Sequence, residues 1–481
     1  MPQGPQVRLF TLKSLESLLR GWVFLAISVL LVVWALPHTI AARNIAIFSG
    51  LLASLVWVAV AKPSLKGGIW FNFWPNICLL VIPLWVLLHY FTISELKEPQ
   101  WQELSSTWLR TIAVVVMGSI AGLMLAKRPR QILWVILGIC LLPTITCFLY
   151  LQQVHIQGNW VLPRGMFYGP YKGKFSEVYF VICQVLVGFA LLVFVLQQGQ
   201  KNRFWPLLAA ITLILMGVAD FIGARGANGI IVTGLGIVVT LLALIGHSLL
   251  DQKRTLPQRA KLTVITLLAL TILSAALYAF WLYDQRYEGK LANLVGDIQI
   301  SSQIDRSEAW ARDGRGLPNP VDRAGRAVNS STYERVSWFL KGVELIKEYP
   351  LGNGISHKAF SYYMREEFPG SIAPMTHSAW VDFTLGLGLP GLLLAWAAFF
   401  AVVWRAIKRL GQPTWINVDP QGNTTSARMP TPIMALYLLV GLFCFWIIGE
   451  VSEREYLEHY FFLIALFGGV MLPQNRQTSA I

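Results

Sequence analysis

Apolar runs of about twenty residues recur along the chain from Gly21 to Leu472, parted by short polar connections and one long polar segment. Backbone N–H and C=O groups cannot go unpaired in hydrocarbon, so each run predicts a helix that crosses a membrane. The pattern predicts twelve, at 21–37, 44–61, 69–92, 109–126, 131–151, 176–197, 204–224, 227–250, 262–283, 379–404, 432–449 and 456–472. The third carries Pro75 and Pro83, which predict a kink. The expected fold is an all-α integral membrane protein in three parts. Residues 1–283 form a transmembrane region of nine spans, 284–378 a polar loop domain, and 379–481 a second transmembrane region of three spans.

The long polar segment has a pattern of its own. In "STYERVSWFLKGVELIKEYP", Val336, Phe339, Leu340, Val343 and Ile346 fall on one stripe, with Lys341, Glu344, Lys347 and Glu348 opposite. That is an amphipathic helix with apolar surface to bury. Pro350 ends it, and "PLGNG" follows as a turn in which Gly352 and Gly354 can take positive φ. Residues 309–330, rich in Gly, Pro and Arg, read as loop. A second polar connection, 152–175, is basic and aromatic.

Charge assigns the sides. Lys62/Lys66, Lys127/Arg128/Arg130, Lys201/Arg203, Lys253/Arg254/Arg259/Lys261 and Arg405/Lys408/Arg409 fall in alternate connections, and the N-terminal Arg8, Lys13 and Arg20 belong with them. The opposite short connections are poor in cations or acidic, with Glu95, Glu98 and Glu103 in one and Glu450, Glu453, Glu455 and Glu458 in another. Positive-inside places both termini in the cytoplasm and 284–378 outside, which in a bacterium is the periplasm. The first run reads as a signal anchor that stays in place. Composition agrees with a multi-pass protein. The chain is 55% hydrophobic and 13% charged, about half the charged share of a soluble domain. The net charge of +14 does not point to nucleic acid, because the cations cap apolar runs. Cys78, Cys140, Cys147, Cys183 and Cys444 lie in or beside apolar runs with no CxxC pair, and read as packing residues.

Candidate chemistry collects on the outer side. The chain has no P-loop, no DxD pair, no HExxH and no GxSxG, so neither a nucleotide nor a metal mechanism has support, and no cofactor is expected. Arg225 in "ADFIGARGANG" sits where one span turns into the next. It reads either as a phosphate-binding guanidinium or as a structural cation, paired with Asp220 or snorkelling. Arg164, among Pro163, Gly165, Tyr168 and Tyr171, reads as an anion or sugar ligand or as a solvated loop residue. Arg335 opens the amphipathic helix and reads first as a solvated surface charge, and only second as a functional cation. His377 lies just ahead of a span, where an imidazole can act as general base near neutral pH or serve structure alone. Asp382 is near enough in sequence to orient it. Gly386, Gly388 and Gly391 allow close helix approach or leave room for a ligand.

These pieces line up with one family. His377-Ser378, nine residues, Gly388, two residues and Gly391 resembles the motif of bacterial O-antigen ligases: His, then Asn/Ser/Gln, nine residues, Gly, two residues, then Gly/Thr/Tyr. "ERVSWFLKGVELIKEYPLGNG" resembles the Arg-led helix and PLxGxG turn of the wider ligase/polymerase superfamily. "GARGANG" resembles its SRG turn with Ala224 in place of serine, and "LPRGMFYGPYKG" is loosely similar to its Arg-and-Gly loop.

The resemblance implies a GT-C-like, metal-independent glycosyltransferase in the bacterial inner membrane. It would move O-antigen polysaccharide from undecaprenyl diphosphate to the lipid A-core at the periplasmic face, with inversion. It implies that His377 activates the acceptor hydroxyl, that Arg225, Arg164 and Arg335 stabilise the diphosphate, and that Ser378, Gly388, Gly391, Asp382, Gly352 and Gly354 support the motif. The donor, the acceptor and membrane lipids are the expected partners, with no nucleic acid and no metal. Ala224 departs from the family's hydroxyl at that position and puts in doubt any phosphate contact made through it. The rival readings are an O-antigen polymerase, a protein O-oligosaccharyltransferase of the same superfamily, and a transporter. No internal repeat supports the transporter.

Overall fold

The computed structural model describes residues 12–63, 69–158, 167–197, 204–224, 227–250, 290–312, 317–322, 325–410, 415–418, 424–427, 430–448 and 454–472, with single positions at 274, 278 and 281. The chain is a polytopic, almost entirely helical membrane protein. Its helices are α1 (Leu12–Val33), α2 (Ile40–Ala61), α3 (Ile69–Thr92), α4 (Lys97–Glu103), α5 (Leu109–Lys127), α6 (Ile132–Gln157), α7 (Lys174–Gln197), α8 (Phe204–Ala224), α9 (Ala227–Leu250), α10 (Lys290–Ser301), α11 (Ser330–Glu348), α12 (Ala359–Glu367), α13 (Ala379–Arg409), α14 (Thr431–Ile448) and α15 (Arg454–Val470). A wide helical turn, Leu104–Trp108, joins α4 to α5.

Among the described residues, eight stretches are long and apolar enough to cross a membrane, and three shorter apolar ones lie in α9, α14 and α15. The expected span at 262–283 lies almost wholly outside the described residues. Burial is patterned for lipid. On α1, Leu18, Trp22, Leu25 and Val29 form an exposed apolar stripe at helical spacing, while Val23, Phe24, Ile27 and Leu30 are fully buried. Water would penalise such a stripe; hydrocarbon does not.

Small residues set the closest helix approaches. Added Cβ atoms at Gly118 and Gly122 of α5 would fall 3.0 Å from the Phe462 carbonyl oxygen and 2.2 Å from that of Leu466, both on α15. The Asn76 amide donates to Ser119 Oγ (2.6 Å) and to the Ala465 carbonyl (3.0 Å), tying α3 to both partners. Backbone contact of this kind replaces the hydrophobic drive that helices lose in lipid.

Three expectations need correction: where Glu103 and Glu458 sit, which face of α11 is buried, and where Lys341 goes. Glu103 and Glu458, read as members of acidic connections, are buried, because Glu103 meets donors of the polar segment and Glu458 meets one inside the bundle. Glu458 pairs with Arg110 Nε at 2.8 Å. The fold is all-α as expected, with one short antiparallel ribbon in a connection, β1 (Trp415–Val418) with β2 (Thr424–Ala427). On α11 the buried face runs through Tyr333, Ser337, Trp338, Lys341, Gly342 and Leu345, with Phe339, Val343 and Ile346 only partly covered. The helix is clasped between its own segment and α13, which rotates the buried stripe. Lys341 goes inside because Glu367 meets its ammonium at 2.7 Å and Glu344 at 3.4 Å.

The polar segment carries a second core. Trp310, Val328, Tyr333, Trp338, Leu345, Phe360, Tyr363 and Met364 pack together with Val381 and Leu385 of α13. One helix therefore serves both the polar segment and the membrane bundle.

Candidate functional site

The feature that ties the polar segment to the bundle is a break in α13. Gly388 has φ 71 and ψ 177, outside helical geometry and open only to glycine. A break there, with Pro390 lacking an N–H, frees the carbonyls of Leu385, Gly386 and Leu387 from their usual donors four residues on. Each acquires another donor. Asn353 N donates to the Leu385 carbonyl (3.0 Å), Gly354 N to that of Gly386 (2.7 Å), and Trp85 Nε1 to that of Leu387 (2.7 Å). In return Leu389 N donates to the Pro350 carbonyl (2.8 Å). The "PLGNG" turn thus completes the hydrogen bonding of a broken membrane helix. Pro390 fits because it opens the second half-helix, where its missing N–H costs nothing.

This docking is backbone against backbone and has no room for side chains. Gly352 and Gly354 have φ of 76 and 86. A Cβ at Gly352 would lie 2.5 Å from the Gly386 carbonyl oxygen, one at Gly386 2.0 Å from that of Ile355, and one at Gly388 2.5 Å from Leu351. Gly391, just past the break, would press its Cβ to 2.6 Å from the Leu387 side chain.

The α3–α4 corner holds the turn from behind. The ring Nε2 of His89 lies 3.1 Å from the Gly352 carbonyl. The Gln100 amide donates to the Val86 carbonyl (2.8 Å) and lies under Gly354. The Glu103 carboxylate accepts from Ser356 N (2.7 Å), Ser356 Oγ (2.7 Å) and His357 N (3.0 Å).

His377 stands at the N-terminal mouth of α13, half-buried, with φ 58. Histidine is among the few residues that tolerate this left-handed region. The turn is fixed around it. Asp382 Oδ1 accepts from Thr376 N (2.9 Å), and Thr376 Oγ1 both accepts from Ser378 N (3.2 Å) and donates to the Ser378 carbonyl (3.1 Å). Ser378 Oγ donates to the Ile447 carbonyl on α14 (3.0 Å). Asp382 therefore shapes the backbone that presents His377. The imidazole stacks on the indole of Trp338, with centroids 5.4 Å apart and planes 18° from parallel. Trp338 Nε1 donates to the Trp310 carbonyl (2.7 Å), which fixes the indole plane.

Arg335 is exposed and lies three residues before Trp338, one turn along the same face of α11. It makes no hydrogen bond or ion pair among the described residues. The structure brings His377, Ser378 and Asp382 together at the mouth of α13, and Gly352, Gly354, Gly388 and Gly391 together at the break roughly 16 Å further along the same helix; Arg335 stands one turn before the Trp338 that stacks on His377. Arg225 and Arg164 lie outside the described residues. Among the described residues no three His, Cys, Asp or Glu side chains converge as metal ligands would. Trp338, Trp85, His89, Gln100 and Glu103 are members that the sequence pattern does not single out. The nearest signal was Trp338, one turn after Arg335.

The chain matches no protein-family model and no curated protein.

Proposed function

We propose that this protein is a glycosyltransferase of lipid-linked sugars, one that transfers O-antigen polysaccharide from undecaprenyl diphosphate to the lipid A-core. On this reading both termini lie in the cytoplasm of a bacterial inner membrane and the polar segment works in the periplasm. The fold would then be a twelve-span, GT-C-like one. The observation that carries it is the presentation of His377: an imidazole held in a left-handed turn at a helix mouth and stacked on an anchored indole, with an exposed arginine one helical turn before that indole. That assembly resembles what a sugar hydroxyl attacking a diphosphate ester requires.

The reaction makes one bond and breaks one. The acceptor oxygen bonds to the anomeric carbon as the bond from that carbon to the phosphate oxygen breaks, with inversion. His377 takes the hydroxyl proton. The departing undecaprenyl diphosphate gains negative charge, which guanidinium groups stabilise with paired N–H donors. Arg335 is the described candidate, and Arg225 and Arg164 are the sequence candidates. The apolar spans would take the polyprenyl tail.

The deciding experiment is a strain lacking the protein. A ligase defect leaves polymer on undecaprenyl diphosphate and no polymer on lipid A-core. Absence of that lipid-linked polymer would instead mean action in polymerisation, and unchanged long-chain lipopolysaccharide would remove the transferase reading.

A further inference from the structure

The α3–α4 corner has two working sides. Towards the polar segment, His89 and Gln100 hold the "PLGNG" turn. Their neighbours in sequence, Tyr90 and Trp101, wall an open cavity of about 410 Å³ together with Phe91, Lys97 and Glu98. The corner therefore sets this cavity at the same end of the bundle as the polar segment. Its volume falls in the range of roughly 300–1,000 Å³ that small-molecule sites occupy.

Three rings make the apolar wall. The Tyr90 and Trp101 rings stand 5.7 Å apart with their planes at 40°, and Phe91 meets Tyr90 edge to face at 5.1 Å. Phe91 is 69% exposed and Trp101 50%, so neither ring is committed to the core. Two opposite charges complete the lining. Lys97 Nζ donates to the Tyr90 carbonyl and lies 4.9 Å from the centre of the Tyr90 ring. Glu98 Oε1 accepts from Gln102 Nε2 (3.0 Å), which steadies the carboxylate.

The walls select the occupant. Rings that only anchor a protein at the membrane surface face lipid and need no cavity. Lys97 already lies over Tyr90, so a cationic ligand is repelled from that face. Glu98 repels an anion, and the two charges cancel. A wholly apolar ligand would bury both charges without partners. A neutral ligand with one apolar face and a rim of hydroxyls meets every condition. Its C–H groups lie against the negative ring faces, while its hydroxyls donate to Glu98 and accept from Lys97. We infer that this cavity binds an uncharged pyranose ring of the transferred polymer, away from the point of bond formation. A repeating polymer presents such rings at intervals beyond its reacting end. That suits a cavity at the corner that clamps the α13 break, itself roughly 16 Å along the helix from His377. The identity of the glycan rests on the transferase reading; the binding of a sugar does not.

The test uses the full chain in a polyoxyethylene detergent, because the sugar heads of glycoside detergents would compete. The probe is the bacterium's own O-polysaccharide, freed of lipid and trimmed to a few repeats, with lipid-free core oligosaccharide as a second probe. Isothermal titration should show saturable binding of the polymer fragment. Trp101→Ala should weaken it about tenfold, the weight of an aromatic anchor, and Trp101→Phe, which keeps a ring, should restore most of it. In reconstituted membranes Trp101→Ala should raise the donor KM about fivefold with kcat unchanged, the sign of binding lost equally from ground and transition states. Absence of saturable polymer binding by the wild-type chain overturns the inference. So does binding that is unchanged in Trp101→Ala, or tighter binding of the core oligosaccharide than of the polymer. The wild-type titration decides even if a variant fails to fold. Failure of the transferase reading shows elsewhere, as unchanged long-chain lipopolysaccharide in the strain lacking the protein.

Discussion

The imidazole of His377 and the indole of Trp338 lie nearly parallel, 5.4 Å apart, although 38 positions separate them in sequence. The stack sets the direction in which the ring nitrogens face, and the Trp338 Nε1 bond to the Trp310 carbonyl sets the stack. Trp338→Phe keeps an aromatic face and loses the anchor, so the transfer rate should fall roughly tenfold with acceptor KM little changed. Trp338→Leu loses the face as well, and should cost roughly a hundredfold, the usual penalty of a misplaced reacting group. Initial rates of polymer transfer in reconstituted membranes check both. Equal rates in the three proteins would mean that the stack only packs.

His377→Asn separates conformation from chemistry. Asparagine accepts the left-handed backbone found at this position, but it has no basic nitrogen. The variant should melt within a few degrees of the wild type while transfer falls about 10²–10⁴-fold, the range that a general base supplies. His377→Ala should be equally inactive and less stable. If His377→Asn retains a large share of activity, the histidine has a structural role.

Gly352, Gly386 and Gly388 make one shared contact, so their substitutions should not be additive. A Cβ at Gly386 would stand 2.0 Å from a backbone oxygen that cannot move away without breaking the turn. Gly386→Ala should cost about 3–5 kcal/mol, the range of severe single changes, and expose the 349–358 turn to protease. Gly352→Ala should behave alike, and the double variant should be little worse than either. Thermal melts combined with limited proteolysis of the purified protein check this, and simple additivity would count against a common joint.

How much of this was legible in the sequence follows from which forces were local. The helices α8 and α9 lie at the expected bounds because hydrocarbon imposes its own length and apolarity on every span. The glycines of "PLGNG" and "GLGLPG" announce tight turns or close approach, since few other needs call for them. What they approach is not written locally. The donors that complete the broken helix come from Trp85, Asn353 and Gly354, and only the folded chain brings them to Leu385, Gly386 and Leu387. Glu103 reads only as a member of an acidic connection because its partners, Ser356 and His357, are distant in sequence. The face of α11 was misjudged for a related reason. Periodicity assumes one core, while α11 packs against two neighbours and buries Lys341 with a distant acid.

Lys341 gives a prediction in pH. Burial works to lower the pKa of its ammonium, but the Glu367 hydrogen bond and the charges of Glu367 and Glu344 outweigh it and hold the group above its ordinary value. A lysine raised in the folded state adds stability that is complete below its unfolded pKa and is lost as pH climbs through the folded one. The pair should therefore hold its full value from pH 7 to about 10 and fade only above the ordinary lysine value of about 10.5. Lys341→Met removes it. Glu367 is 42% exposed and rehydrates, so the substitution should cost no more than about 1 kcal/mol near neutral pH. The wild type should then melt a few degrees higher than Lys341→Met at pH 7 and 9, and the gap should narrow at pH 11. Paired melting curves of the two proteins across this range make the comparison. A gap that closes below pH 9 would mean that burial, rather than Glu367, controls the lysine.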